Sequence, residues 1–285
     1  MSKSMMLRSS DVRALFELVG ESCDLGDDGS AWRLHFLDRL GAIVGADVAI
    51  KGEMAGCLAG KNVDLGVVFW SPGGFSPPAS WHEHLASFRD DPDYSSAICE
   101  YHRLTRRDRG RALTREEFIE DGDWYGSREF LTLHEPLGLD ASLCCFRPIV
   151  GVEADESTGF NLFRDRGRRD FSPRERAIAQ EAHAAISPHV GRALARFADP
   201  SPMGLPPRAR QVLACLLEGD GDKQVAARLG IGVHTVNQYT KAIFRHFGAR
   251  SRAELLARWV RRGRGGQFPW ATYSGSQSRG IGDFS

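Results

Sequence analysis

The chain has 285 residues, 42% of them apolar, and its 37 Lys and Arg balance 37 Asp and Glu. That is enough length and apolar content for two domains, each with a buried core. No apolar run approaches the roughly 20 residues of a membrane-spanning helix. The six cysteines form no Cys-x-x-Cys pair and no signal peptide precedes them, so the expectation is reduced thiols, no metal site and a cytoplasmic location. The neutral balance hides a split. Residues 205–285 carry 13 basic against 5 acidic side chains, leaving 24 against 32 in the first 204. A basic C-terminal segment is the electrostatic footprint of a nucleic-acid module.

Residues 1–9 read as a frayed start. From Asp11 to Val19, apolar residues at 12, 15, 16 and 19 predict a short amphipathic helix. Ser30 is positioned to cap a second helix reaching Val44, with Trp32, Phe36, Leu37 and Leu40 on one face. Ala46–Met54 and Val63–Trp70 are β-type runs separated by Gly56 and Gly60. A Pro/Gly loop precedes a helix over Trp81–Phe88, Asp91-Pro92 ends it, and Ala97–Thr105 reads as a strand. Thr114 and Glu117 form a capping box that starts a helix, and another follows over Trp124–His134. Three β-like runs come next, Ala141–Phe146, Pro148–Glu153 and Gly159–Arg164. Ser172-Pro-Arg-Glu then opens a long helix expected to reach Phe197. This order predicts an α+β domain, an antiparallel sheet with helices packed on it, over residues 1–198.

Asp199-Pro-Ser-Pro-Met-Gly-Leu-Pro-Pro207 is a stiffened linker. Beyond it, Val225, Ala226, Leu229, Ile231, Val236, Ile243 and Phe247 have the spacing of two short helices that cross over a tight turn at Gly230. Gly230 is suited to the positive φ that ends the first of them. The second helix presents a polar face of Asn237, Gln238, Lys241 and Arg245, side chains able to bond base edges and phosphates. Ser251 and Glu254 cap a further helix carrying Leu255, Leu256 and Trp259. Residues 264–285, rich in Gly, Ser and Gln, read as a disordered tail.

From Leu205-Pro-Pro-Arg-Ala-Arg-Gln-Val-Leu through Ser251-Arg-Ala-Glu-Leu-Leu, the chain resembles the LuxR/NarL type of four-helix DNA-binding domain. The resemblance implies an all-α helix-turn-helix domain over residues 208–263, whose third helix enters the major groove and whose fourth often pairs two copies. It implies base or adjacent phosphate contacts by Asn237, Gln238 and Lys241, and phosphate contacts by Lys223, His234, Thr235 and Arg245. Two departures stand out. Pro206 and Ala209 occupy the places of a threonine cap and its glutamate, and Gly232 replaces the usual serine cap of the recognition helix. A sigma-factor DNA-binding region shares the Leu-Pro-Pro-Arg start, but the helix after Phe247-Gly-Ala-Arg-Ser-Arg and the lack of an upstream promoter-binding region count against it.

Residues 10–198 more loosely resemble the GAF-like sensor domains found ahead of LuxR-type modules. The resemblance rests on Asp91-Pro92, Trp124 with Glu129-Phe130, Pro136-Leu-Gly-Leu and Phe171-Ser-Pro-Arg-Glu-Arg. It implies a GAF/PAS-like α+β fold able to bind a small-molecule effector and to support a homodimer. Autoinducer-binding domains also use Trp and Asp-Pro, although the Trp81 to Asp91 spacing differs and no tyrosine follows four residues after Trp81. A phosphorelay receiver is excluded by the strand order and by the place of Asp27-Asp28 in a Gly-rich turn. Phe69, Trp70, Trp81, Trp124, Tyr125 and Phe146 are the aromatic pocket candidates, with core packing the default for each. Of Cys144 and Cys145, strand alternation sends one thiol to each face. No nucleophile–base motif, P-loop or dinucleotide fingerprint appears, so no enzyme activity and no cofactor are expected. The expected partners are double-stranded DNA, a second copy of the chain and a small-molecule effector, without a membrane. The alternative is a small-molecule-binding signalling protein whose helical module makes protein contacts.

Overall fold

The structure, a computed structural model, describes residues 7–56, 63–74, 76–90, 97–151 and 155–261, with the backbone alone at 85–90, 203 and 261. The chain divides into two units between Asp199 and Pro200. Asp91-Pro92 and the tail at 264–285 lie outside the described residues.

The first unit opens with helices α1 (Ser9–Asp24) and α2 (Gly29–Val44). The cap of α2 is Asp28 rather than Ser30, because its carboxylate accepts from the Ser30 and Ala31 N–H groups at 2.8 and 3.0 Å. Strands β1 (Val48–Ala55) and β2 (Val63–Trp70) follow, then α3 (Ala79–Asp90) and α4 (Ala97–Thr105). A two-residue strand β3 (Leu113–Thr114), α5 (Asp121–Gly126), β4 (Leu139–Pro148), β5 (Glu156–Asp165) and α6 (Pro173–Ile186) complete the unit. The five strands form one antiparallel sheet in the order β2-β1-β5-β4-β3.

Side-chain alternation gives the sheet two different faces. Across one row run Phe69, Ile50, Asn161, Cys144 and Leu113; across the next run Val68, Lys51, Phe160 and Cys145. The second row packs into a core with Leu15 and Leu18 of α1, Trp32, Phe36, Leu37 and Leu40 of α2, and Ile178, Ala179 and Ala182 of α6. The first row meets Trp81 of α3, Tyr101 of α4, Trp124 of α5 and the segment following it. Phe146 lies over its cross-strand partner Gly159, where a Cβ would come within 2.0 Å of the ring, so glycine is required.

Five elements differ from the sequence expectation, each for a local reason. Ala97–Thr105 is a helix, not a strand, since Ala97, Tyr101 and Thr105 are buried at a spacing of four. The Thr114–Glu117 box forms, with Thr114 N–H donating to Glu117 Oε2 at 2.9 Å, but it caps only a single 3-10 turn, Arg115–Glu117. The helix expected over Trp124–His134 breaks at Gly126. Ser127 Oγ then accepts from Phe130 N–H at 3.0 Å, and Phe130–His134 forms a π-helical turn. Of the run expected as a strand over Pro148–Glu153, Pro148 ends β4 and residues 149–151 belong to no strand, while residues 152–154 lie outside the described residues. The helix from Ser172 ends at Ile186 instead of Phe197. Pro188 has no N–H for the i−4 carbonyl, and the chain continues as a 3-10 turn, Ser187–His189.

The second unit is all-helical: α7 (Pro207–Leu217), α8 (Asp222–Leu229), α9 (Val233–Phe247) and α10 (Arg252–Arg261). Val212, Leu213 and Leu216 of α7, Val225, Ala226 and Leu229 of α8, Val236, Ile243 and Phe247 of α9, and Leu255 and Trp259 of α10 make a separate core.

Candidate functional site

The α8–α9 corner is built by Gly230, whose φ of +63° turns the chain out of α8 while its N–H donates to Ala226 C=O. Arg208 of α7 donates to the Leu229 carbonyl and so ties α7 to the same corner. The end of α9 is closed by Gly248 at φ +61° and by Arg258 of α10, which donates to the Phe247 and Gly248 carbonyls. Arg252 donates to Asp220 C=O before α8. Arginines of neighbouring helices thus bond the carbonyls at the ends of α8 and α9 and leave the exposed face of α9 out of these contacts.

On that face, His234, Asn237, Gln238, Lys241 and Arg245 are all exposed. They fall within an arc of roughly 100° at the α-helical 100° per residue, opposite Val236, Ile243 and Phe247. Gln238 Nε2 lies 3.2 Å from His234 Nε2, an i,i+4 pair that orders the first turn of the face. Thr235 sits half-buried on its flank, and Lys223 is exposed in the first turn of α8. Lys223, Lys241 and Arg245 have no carboxylate within ion-pair distance among the described residues. Arg228 and Arg252, by contrast, are engaged by Glu218, Asp220 and Asp222. Gly232 caps α9 without a side-chain bond, as the missing serine implies, and α7 begins on Pro206-Pro207 with no side-chain cap. The Ser251 hydroxyl accepts from Glu254 N–H at 3.1 Å, and Glu254 accepts from Arg250 N–H at 2.8 Å.

The first unit holds a cavity of about 70 Å³ between the sheet and α3–α5. Ile50, Met54, Val67, Trp81, Trp124, Leu133, Phe146 and Phe163 make its apolar wall; Glu129, His84, His134, Ser142, Cys144 and Asn161 are the main polar side chains facing it. Glu129 is buried and accepts from Ala97 N–H at 2.8 Å. Its second oxygen lies 3.9 Å from His134 Nε2, beyond hydrogen-bond length. Burial pushes the Glu129 carboxyl up, but His134, His84 and the Ala97 N–H outweigh it and hold the group below the usual carboxylate range. Burial holds His84 below the usual histidine range. Three buried polar atoms of the wall, Trp124 Nε1, His134 Nδ1 and Asn161 Oδ1, have no hydrogen-bond partner among the described residues.

Comparison with known proteins bears on the second unit. Residues 203–259 match the family described as bacterial regulatory proteins, luxR family. Residues 203–259 form a LuxR-type helix-turn-helix domain. A curated relative, the probable HTH-type transcriptional regulator GfsR of Streptomyces halstedii, is 32% identical over 85 residues, 30% of this chain. The chain spans about a third of that relative's length, 35%. Among solved structures, Escherichia coli SdiA is similar over 90% of this chain and 97% of its own, at 12% identity and a TM-score of 0.35. SdiA in complex with octanoyl-rac-glycerol is similar over the same shares, at 12% identity and a TM-score of 0.38.

The LuxR-type domain brings five of the seven side chains singled out in the sequence onto one helix face, with Thr235 beside it and Lys223 on the preceding helix. Of the aromatic pocket candidates, Trp81, Trp124 and Phe146 line the cavity. Phe69 packs edge-on against Trp81 at 5.6 Å, Trp70 covers Gly41 and donates to Asp38, and Tyr125 donates to Asp140. Cys144 faces the cavity. Cys145 faces the opposite core, where its thiol meets Gly110 C=O and His183 and burial pushes it up to about 12. Sequence reasoning missed His134 and Asn161 as cavity residues. Asn161 had a signal, being the one polar side chain in the apolar run Gly159-Phe-Asn-Leu-Phe163.

Proposed function

We propose that this chain is a sequence-specific transcription regulator whose LuxR-type domain lays α9 in the major groove of DNA. Asn237, Gln238 and Lys241 face base edges or adjacent phosphates, and Lys223, His234, Thr235 and Arg245 hold the backbone. The observation that carries the reading is the exposed face of α9. Amides suited to bidentate adenine contacts lie there beside cations engaged by no carboxylate among the described residues. Two copies would set their recognition helices about 34–36 Å apart on an imperfect palindrome. The outer stripe of α10, Ala253, Leu256, Ala257 and Val260, supports pairing there, Val260 being 72% exposed. Selection of bound sequences from a random duplex pool by the full chain tests the proposal; recovery of no enriched site would refute it.

Residues 1–198 serve in this reading as a GAF-like sensor and dimerisation domain, with residues 199–207 as linker, 208–263 as the DNA-binding domain and 264–285 as tail. The effector is a small molecule in the cavity of α3–α5, a role supported by the orphaned polar atoms in its apolar wall. An effector should change the affinity of the full chain for its selected duplex, and by linkage the duplex should change effector affinity by the same factor.

A further inference from the structure

The cavity wall contains a carboxylate, Glu129, that no lysine or arginine meets among the described residues and that only two histidines, His134 and His84, and a backbone N–H face there. Among the described residues, the sole ion-pair neighbour of Glu129 is His134 at 3.9 Å, and its one full hydrogen bond comes from a backbone N–H. A buried carboxylate in apolar surroundings is costly unless a cation or several donors meet it.

Glu129 also stands at a neck. It shares with Ala97 and Trp124 the boundary between the inner cavity and an outer groove of about 410 Å³ between α4 and α5. The groove is lined by Glu100, Glu120 and Asp123, and among the described residues Arg103 is the only counter-charge in its lining, already paired to Glu100 at 2.7 Å. A concave mouth of one sign concentrates ligands of the opposite sign. The apolar wall of the inner cavity provides aromatic faces at Trp81, Trp124, Phe146 and Phe163, surfaces that attract cations as well as hydrocarbon.

From this arrangement we infer that the effector is a small apolar amine: its hydrocarbon end fills the inner cavity and its ammonium group sits at the neck against Glu129. Asn161 Oδ1 offers an acceptor to a further N–H or O–H, and Trp124 Nε1 a donor to an oxygen substituent. The small inner volume favours a short or branched hydrocarbon over a long acyl chain. This inference rests on the reading of residues 1–198 as an effector-binding domain and adds the chemical class.

The test uses the full chain and three probes with one carbon skeleton, isopentylamine, isopentanol and isovalerate, followed by calorimetry and tryptophan fluorescence. The amine should bind at least about ten-fold more tightly than the alcohol, a difference of about 1.4 kcal/mol, and the carboxylate least. Glu129→Gln keeps an oxygen for the Ala97 N–H and should remove the preference for the amine while leaving the alcohol within about two-fold. The double variant Glu120→Gln/Asp123→Asn alters only exposed side chains. It should weaken the amine a few-fold and flatten its salt dependence without moving the alcohol. Equal binding of all three probes, or an amine preference that survives both variants, overturns the inference but leaves the cavity an effector site. Absence of saturable amine binding also overturns it, and the cavity reading is then judged by the duplex-linkage measurement alone.

Discussion

Lys51 Nζ donates to Thr158 Oγ1 at 3.4 Å on the helix-covered face of the sheet, with the rings of Phe36 and Trp32 at 4.7 and 5.5 Å. The residue is completely buried, and no carboxylate reaches it within ion-pair distance among the described residues. Burial first, then the charge of Arg33, lowers it from the ordinary 10.5 to about 7. Between those two values the unfolded chain holds a proton that the folded chain lacks, so stability rises with pH across this window and levels off below about 7. The full depression corresponds to about 4–5 kcal/mol lost at neutral pH and below. Lys51→Met keeps the packing against Phe36 and Trp32 without the charge. Urea titrations over a pH series should give the variant a higher midpoint at neutral pH and no slope from this site between about 7 and about 10.5. A lower midpoint with the slope intact would refute the account.

A different balance holds at Arg33 and Glu53, both fully buried and paired to each other, with Arg196 Nε 3.6 Å from the second Glu53 oxygen. Arg33 also donates to Ala195 C=O at 3.2 Å and lies 4.1 Å over the Trp32 ring. Glu53→Gln strands the guanidinium in the core and should cost about 3–5 kcal/mol. Replacing both by Met removes both desolvation terms, so the double variant should lose less than the sum of the singles. A double-mutant cycle on unfolding midpoints measures this, and additive losses would show that the two residues act independently.

What the sequence made legible was set by local chemistry. The run Val63–Trp70 coincides with β2, and the α8–α9 corner was readable because Gly230 marks the positive φ that the turn needs. The exposed face of α9 followed from 3.6-residue periodicity alone. Ala97–Thr105 is a helix against the strand expectation, and the sign of it in the sequence is the spacing of four between Ala97, Tyr101 and Thr105, the residues it buries. The cavity was largely hidden for a non-local reason. Asn161 and Cys144 become neighbours only through strand register, and Glu129 reaches the same space from a segment interrupted at Gly126 and resumed through a π-turn.

The uncapped start of α9 gives a prediction of opposite sign to most substitutions. Gly232 has φ −71° and ψ 148°, allowed for any residue, and an added Cβ would meet nothing nearer than Thr235 Oγ1 at 3.9 Å. Gly232→Ser supplies the missing acceptor and should stabilise the helical unit by a few tenths of a kcal/mol, raising its melting temperature by about 2 °C. Gly232→Ala offers the same backbone restriction without the oxygen. If calorimetry finds the two variants equally stable, backbone entropy rather than capping explains any gain.

Contacts to phosphate and to bases respond differently to salt and to sequence, which separates the assignments on α9. Arg245, exposed in the last turn with no carboxylate at ion-pair distance among the described residues, is assigned to phosphate. Arg245→Ala should therefore weaken specific and random duplexes alike and reduce the slope of log affinity against log salt by about 1. Asn237→Ala should leave that slope unchanged and relax discrimination at one base position by about 1–3 kcal/mol. Gln238→Ala should do the same at a neighbouring position and also free His234 Nε2 from its 3.2 Å contact. Fluorescence anisotropy on the selected site, single-base variants and a random duplex at several salt concentrations reads all three effects. An unchanged salt slope for Arg245→Ala, with lost discrimination at one base pair, would move that arginine from the backbone into the groove.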